Sequence, residues 1–380
     1  MSEIKIIIGG DIFPRYSFDL WEKLEMEKLY SRDILDIFRN ADFSICNLEG
    51  AFTDFSQGIP KCGPSIKASP KTIAGIRALG IDCLALANNH VMDYGKQGYI
   101  DTCKTLEEAG IDYFGTGDNV NSINTYKKTQ IKGKTIIFYA VGETVFNIPS
   151  EDMPGINLYD EYRVCNELKV LKEQCDFLIV LYHGGVEYFT FPTPWIRQRF
   201  HRMADCGADM VIAQHTHCIG AQERYNGSYL LYGQGNFHFI QYNEKEVTQS
   251  GLLLDVDAGG ESLNVMPHLV YMDGDMCKYC PKQDLSDFYA RSKRVEAGES
   301  FKKEFSAYCE KWFVRWLMEF RGNTVKDRIM RRLLSKEKFI SYLRRQYNDT
   351  MVLRMLEHVR GEEDVEVMQQ GLSDFFYMNK

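Results

Sequence analysis

The chain has 380 residues, 44% of them hydrophobic, and a formal net charge of −8. That apolar content excludes global disorder, and the acidic balance argues against a nucleic-acid binder that works by bulk charge. Eleven cysteines are an odd set in a large chain, which fits buried reduced thiols better than a disulfide scaffold.

The opening MSEIKIIIGGD lacks a charged leader followed by a long apolar core and a cleavage site, so no signal peptide is expected. No apolar run reaches the roughly eighteen residues that a membrane span needs. These features predict a soluble, cytoplasmic protein with no integral membrane segment.

In chain order, short apolar runs alternate with amphipathic stretches. IKIIIGG runs into Asp11, and residues 20–40 carry apolar positions at helical spacing. DFSIC runs into Asn47 and Glu49, followed by a helical stretch at 71–79. DCLALA runs into Asn88, Asn89, His90 and Asp93. A helix over 97–109 is closed by Gly110 as its C-cap. TIIFYAV is a strand ending in Gly142 and Glu143, and 162–174 is helical. DFLIVLY runs into His183 and Glu187; a helix over 195–206 is closed by Gly207. ADMVIA runs into Gln214, His215 and His217, and SYLLYGQG into Asn236. Strands at 251–256 and 263–271 are expected to be antiparallel. The alternation predicts an α/β layered domain over residues 1–280. A helical appendage follows at 281–380, with helices expected at 301–319, 323–334 and 336–345. Its aromatic residues Phe301, Phe305, Trp312, Phe313, Trp316 and Phe320 fall mostly at helical spacing and read as a buried helix face.

Besides TIIFYAV, six of these runs end in Asp, Glu, Asn or His. Open α/β sheets bind ligands beyond the carboxyl ends of their strands, so the six ends describe one pocket with metal-ligand chemistry. Neutral imidazole is the commonest protein metal ligand. His215 and His217, two residues apart, can both face one cavity if the loop turns, with His183, Asp11 and Glu49 at equivalent strand ends. Asn89 offers a neutral oxygen ligand. His90 beside it suits a general acid, since imidazole titrates near neutral pH. Asp93 is close enough in sequence to fix its tautomer. Glu49 is the candidate carboxylate bridge between two cations. Two-metal sites activate water at neutral pH and clamp the attacking and leaving oxygens. The donor mix suits Mn, Fe, Zn or Co better than Ca.

Other signals weigh less. Cys277-x-x-Cys280 has no partner pair for a zinc knuckle. Gly115-Thr116-Gly117 lacks the remaining glycines of a dinucleotide loop. Tyr188, Phe191 and Trp195 read equally as an aromatic wall or as packing. Arg197, Arg199 and Arg202 read more as a solvated helix face than as an anion site.

Taken in order, GGD (Asp11), NLEG (Asn47, Glu49), NNHVMDYG (Asn89, His90, Asp93), HGGVEY (His183, Glu187), HTH (His215, His217) and GQGNF (Asn236, Phe237) resemble the CapA family of capsule and poly-γ-glutamate synthesis. That family's domain is similar to the calcineurin-like metallophosphatases. The resemblance covers about residues 3–245 and stops short of the C-terminal helices. It implies a four-layer α/β/β/α sandwich with a dinuclear site for two divalent transition-metal ions (Mn, Fe or Zn). Asp11, Glu49 and His217 would hold one ion, and Glu49, Asn89, His183 and His215 the other. His90 would be the proton donor, with Asp93 and Glu187 completing the catalytic set. Asn47, Asn88, Gln214 and Asn236 would support the site or face the substrate.

The implied activity is a metal-dependent hydrolase, a phosphoesterase acting on a small-molecule or polymer anion, with no nucleic-acid partner. The alternatives are an amide hydrolase or transferase on a γ-glutamyl or cell-envelope polymer, and a non-catalytic scaffold in capsule polysaccharide or polyglutamate biosynthesis that docks an assembly partner through the helical tail. Four departures stand out. The bridging position carries Glu49, or less readily Asn47, where metallophosphatases have Asp. Metallophosphatases usually carry Asp-x-His in the first motif, where this chain has Asp11, Ile12 and Phe13. Ala213 replaces a glycine before the final histidine pair. Family members often carry an N-terminal membrane anchor, which is not seen here.

Overall fold

The computed structural model describes residues 3–61, 63–143, 147–240, 249–280, 285–299, 301–309, 349–361 and 364–368, with isolated positions 332, 333, 335, 338, 370 and 371. The chain divides into two compact units. The first comprises residues 1–59 and 65–299, the second 60–64 and 300–380.

The first unit is built on two mixed sheets. The β-branched run of Lys5–Phe13 is buried on both faces and forms the centre of the first sheet. It pairs in parallel with Phe43–Leu48, antiparallel with Ser250–Asp257, and through its far half in parallel with Asn236–Phe239. The sheet runs Met276–Tyr279, Asn264–Asp273, Ser250–Asp257, Lys5–Phe13, Phe43–Leu48, Cys83–Ala85, Asp112–Phe114, eight strands in all with Asn236–Phe239. The second sheet runs Gln222–Tyr225, Ser228–Leu231, Met210–Gln214, Phe177–His183, Lys134–Gly142, Tyr126–Ile131. Its inner strands Phe177–His183 and Met210–Gln214 are parallel and buried throughout, as a sheet covered on both faces requires. The outer strand Tyr126–Ile131 carries Lys127, Lys128 and Gln130 at an edge, where charge discourages further pairing.

The sheets face one another across a single core. Phe43 of the first stacks on Phe138 of the second at 5.3 Å between centroids, and residues of both sheets join one buried cluster. Burying side chains of this size contributes about 2–3 kcal/mol each. Helices cover the outer faces. Glu161–Lys172 lies on the Phe177–His183 strand and Pro194–Asp205 on Met210–Gln214. On the other side, Phe18–Glu22 and Arg32–Arg39 pack with Ile73–Leu79, and Gly95–Ala109 lies against Asp112–Phe114. The result is an α/β/β/α sandwich. Local chemistry marks the helix ends. Thr193 caps Pro194–Asp205 by accepting from Ile196 N at 3.3 Å. Gly110, at φ 68°, closes Gly95–Ala109.

Three expectations need correction. Residues 20–40 form three helices, Phe18–Glu22, Met26–Leu29 and Arg32–Arg39, rather than one. Leu24 adopts φ 58° and breaks the first from the second. Ser31 N then donates to Cys277 O at 3.0 Å, which draws the chain out of helix. The apolar spacing survives these breaks because Trp21, Leu29, Ile34 and Phe38 still face the core. Asn236 opens a strand rather than closing one. Finally, the Ser286–Glu296 helix lies within the first unit, where Gln222 N donates to Ser292 Oγ at 3.0 Å.

In the second unit, 302–309 is helical, with Phe301 and Phe305 buried, and Asp349–Arg360 forms a further helix. The helices expected at 323–334 and 336–345, and Trp312, Phe313, Trp316 and Phe320, lie outside the described residues apart from isolated positions. No helix among the described residues is long and apolar enough to cross a membrane.

Candidate metal centre

Both sheets deliver polar side chains to one place. Asp11 sits where the Lys5–Phe13 strand breaks register with both of its parallel neighbours. Such a bulge re-aims a side chain out of the regular alternation. Gly10 makes the bulge feasible, because a Cβ there would stand 2.2 Å from Gly235 O. Glu49 follows Phe43–Leu48, Asn88 to His90 follow Cys83–Ala85, and His183 ends its strand. His215 and His217 follow Met210–Gln214.

Glu49 lies at the focus. It is wholly buried, and neither carboxylate oxygen accepts a hydrogen bond from an N–H or O–H group among the described residues. Its Oε1 is 3.7 Å from His183 Nε2, 3.8 Å from His217 Nε2 and 3.8 Å from His90 Nε2. Glu49, His215 and His217 each offer a ligand atom within 4.8 Å of the others. Asp11, also wholly buried, approaches His217 Nδ1 at 3.6 Å and His183 Nδ1 at 3.9 Å. No lysine or arginine among the described residues pairs with either acid. Burial raises the Asp11 carboxyl above its ordinary value, against the lowering pull of His217, Asn47 and His215. Burial and then the charge of Asp11 push Glu49 well above its ordinary value. Burial, with His215, His217 and His90 close by, holds His183 well below its ordinary value, which leaves it in the neutral form that binds metal.

The surrounding hydrogen bonds orient these groups. Asn47 Nδ2 donates to Asp11 Oδ1 at 2.8 Å, and Asn88 Nδ2 donates to Asn47 Oδ1 at 3.2 Å and to Leu48 O at 2.7 Å. Asn88 Oδ1 accepts from the backbone of His90 and Val91, both at 3.0 Å. Asn89 Oδ1 is 2.8 Å from His183 Nε2. His90 Nδ1 lies 2.6 Å from Asp93 Oδ2, which also accepts from Ile66 N at 2.7 Å. His217 Nδ1 lies 2.9 Å from Asn236 Oδ1, leaving Nε2 toward Glu49. Gln214 Nε2 turns away from the acids and donates to Gln234 Oε1 at 3.1 Å. Glu187 lies partly exposed, with its charge felt at Glu49.

The backbone here is strained. His215, His217 and Tyr188 have φ of 82°, 51° and 63°, a region that costs a bulky residue about 1–3 kcal/mol. The turn this produces lets both histidines of the pair reach one cavity. Tyr188 N donates to Thr216 O at 2.8 Å and ties the two loops together.

One supporting cluster escaped the sequence reading. Buried Glu143 accepts from Tyr182 Oη at 2.6 Å, Arg199 Nη1 at 3.0 Å and Gly185 N at 3.3 Å. Its own N–H donates to His183 O at 3.1 Å. Asn147 Nδ2 bridges Glu143 O and Asn88 O at 3.2 and 3.1 Å. Glu143 thus links the loop after His183 to the Asn88 turn. The signal was present, since TIIFYAV also ends in an acid. The helix arginines are not simply a solvated face. Arg197 pairs with Glu223 and Arg199 with Glu143, and the outermost, Arg202, pairs with exposed Glu161. Of the three aromatic residues, Tyr188 lies 6.2 Å from the His217 ring, Phe191 lies under Arg294, and Trp195 is half exposed.

Two buried carboxylates facing imidazoles, with an undonated acid at their centre, fit a divalent cation. Such a charge would offset the desolvation of both acids and favour their ionised forms. The N and O donors suit a transition metal.

A family model described as "Bacterial capsule synthesis protein PGA_cap" matches residues 5–241. The capsule biosynthesis protein CapA of Bacillus anthracis is 26% identical over 244 residues, covering 62% of this chain and 59% of that protein. The PGA biosynthesis protein CapA of Bacillus subtilis is 27% identical over 240 residues, covering 62% of each. The chain thus spans about three-fifths of the length of these relatives. A crystal structure of a novel phosphatase from Mycoplasma pneumoniae aligns with a TM-score of 0.46 and 17% identity, over 76% of this chain and 99% of that one.

Proposed function

The chain belongs to the bacterial capsule synthesis protein family, and from that premise we propose that it is a metal-dependent hydrolase, a phosphoesterase with a dinuclear site. The observation that carries this reading is Glu49, buried, without a hydrogen-bond donor among the described residues, and ringed by three imidazole nitrogens at 3.7–3.8 Å. Asp11, Glu49 and His217 would hold one ion, and Glu49, Asn89, His183 and His215 the other. When bound, the ions supply Lewis acidity and an activated water.

The chain's own residues do the rest. His90 carries the proton for the leaving alkoxide at Nε2, and Asp93 at Nδ1 keeps the ring in that orientation. Asn88, through the backbone of His90 and Val91, holds the turn that presents Asn89 and His90. Asn236 sets the tautomer of His217, and Asn47 orients Asp11. Glu187 faces the substrate from the rim. Two variants test these roles. His90→Ala is expected to lower aryl phosphate turnover by about 10²–10⁴-fold with metal content unchanged. Undiminished turnover would remove His90 from the mechanism. His215→Ala should lower bound metal, and unaltered stoichiometry would refute its assignment.

One observation favours a second reading, an accessory role in capsule or polyglutamate assembly. Where metallophosphatases usually have histidine, Phe13 is buried and stacked on Phe52 at 5.3 Å. An ion held at Asp11 would therefore have one imidazole fewer. Full pathway function in cells carrying Asp11→Ala and His215→Ala together would favour that reading over hydrolysis.

A further inference from the structure

We propose that Arg15 anchors a second anionic group of the substrate, a carboxylate or phosphate carried away from the bond that is cut. This rests on the hydrolase reading of the same centre.

Arg15 lies just beyond the strand that carries Asp11. Its N–H donates to Phe13 O at 2.8 Å, which closes a tight turn through Pro14. Its guanidinium carbon lies 5.1 Å from the centroid of the Phe239 ring and 5.6 Å from that of Tyr16. Phe239 in turn lies flat against His217, 5.4 Å between centroids with 10° between planes. A single aromatic ring thus separates this cation from a proposed metal ligand.

Among the described residues, Arg15 differs from the arginines of the Pro194–Asp205 helix in having no carboxylate partner. Arg197, Arg199 and Arg202 are each paired with a carboxylate. Arg15 has no acidic partner among the described residues, and it is partly exposed. Stacking on aromatic faces restrains a guanidinium while leaving its in-plane donors available. Those donors match a carboxylate or phosphate in two parallel hydrogen bonds. The metal ions would take the reacting group, so an anion reaching Arg15 belongs to another part of the same molecule. Arg15 would therefore select substrates with two negative groups over those with one.

The test uses the full-length, Mn-loaded protein and three non-hydrolysable probes, phenylphosphonate, 4-carboxyphenylphosphonate and 1,4-benzenediphosphonate, titrated by calorimetry. In the wild type at least one of the doubly charged probes is expected to bind about tenfold tighter than phenylphosphonate. Arg15→Ala should abolish that gain, and Arg15→Lys should retain a smaller one, both with wild-type metal content. A gain confined to the carboxylate probe makes the anchored group a carboxylate, and one confined to the bisphosphonate makes it a phosphate. A gain that persists in Arg15→Ala overturns the proposal. So does a wild type that binds phenylphosphonate but gains nothing from the second anion. If phenylphosphonate itself fails to bind the loaded wild type, the hydrolase reading falls and Arg15's role falls with it.

Discussion

Replacing Glu49 by glutamine should act in opposite directions on the metal-free and metal-loaded protein. Burial and Asp11 hold this carboxyl well above its ordinary 4.5. An acid raised in the folded state costs stability as pH rises past its unfolded value, and the cost stays above the folded one. Glutamine keeps the shape without that cost. A buried group left without a partner costs about 1–3 kcal/mol, a lower bound for a charged one, and in a domain of this size each kcal/mol moves Tm by about 2 °C. Metal-stripped Glu49→Gln at pH 8 is therefore expected to melt about 2–6 °C above stripped wild type, with the gap closing by pH 4. Metal reverses the benefit. At a concentration of one hundred times Kd, a ligand stabilises by about 2.7 kcal/mol. If losing the shared carboxylate weakens binding a hundredfold, the same concentration adds only about 0.4 kcal/mol. Scanning calorimetry with EDTA and with Mn should show the metal increment falling from about 5 °C to about 1 °C. A stripped variant less stable than wild type, with an undiminished Mn increment, would refute the reasoning.

Three further outcomes follow from buried groups outside the ligand set. His238 is buried against Trp21 and Tyr30 at 4.7 and 5.0 Å, and burial pushes it down to about 3. The unfolded chain takes up a proton there below about 6.5 and the folded one does not, so stability falls as pH drops from 6.5 toward 3; His238→Phe should flatten that slope in acid denaturation. Glu143→Ala removes the acceptor shared by Tyr182, Arg199 and Gly185 N, and is expected to cost about 1–3 kcal/mol in urea unfolding, whereas Glu143→Gln should lose less stability while still weakening Mn binding. At Glu223, burial raises the carboxyl but donation from Arg197, Tyr232 and His201 wins and lowers it below 4.5. Its contribution is therefore present above 4.5 and lost as pH falls through the lower folded value, so the stability gap between wild type and Glu223→Gln should narrow below about pH 4.5.

The centre was legible because it is written locally. Apolar runs of strand length ending in Asp, Glu, Asn or His are visible without knowing which strands pair, and parallel strands sharing a carboxyl-terminal edge bring Asp11 to Glu49 in one sheet and His183 to His215 in the other. What depended on partners distant in sequence was not visible. Glu143 ends a strand like the others, but its role comes from Arg199, 56 residues further on. Leu24 at φ 58° makes one break in a helix that the spacing favours, and Ser31 makes the next by finding a backbone partner at Cys277. The left-handed backbone of His215 and His217 is likewise a product of loop packing, which residue type alone disfavours. Arg15 had no motif around it. It became conspicuous only once the other arginines near the centre were seen to be paired.

The most direct measurement is the metal content of purified protein, prepared without chelator, alongside hydrolysis of an aryl phosphomonoester and phosphodiester with Mn supplied. The dinuclear hydrolase is expected to carry close to two transition-metal ions per chain and to turn over at least one of the two esters. No bound metal and no turnover in the presence of Mn would contradict it and leave the accessory role as the reading to pursue.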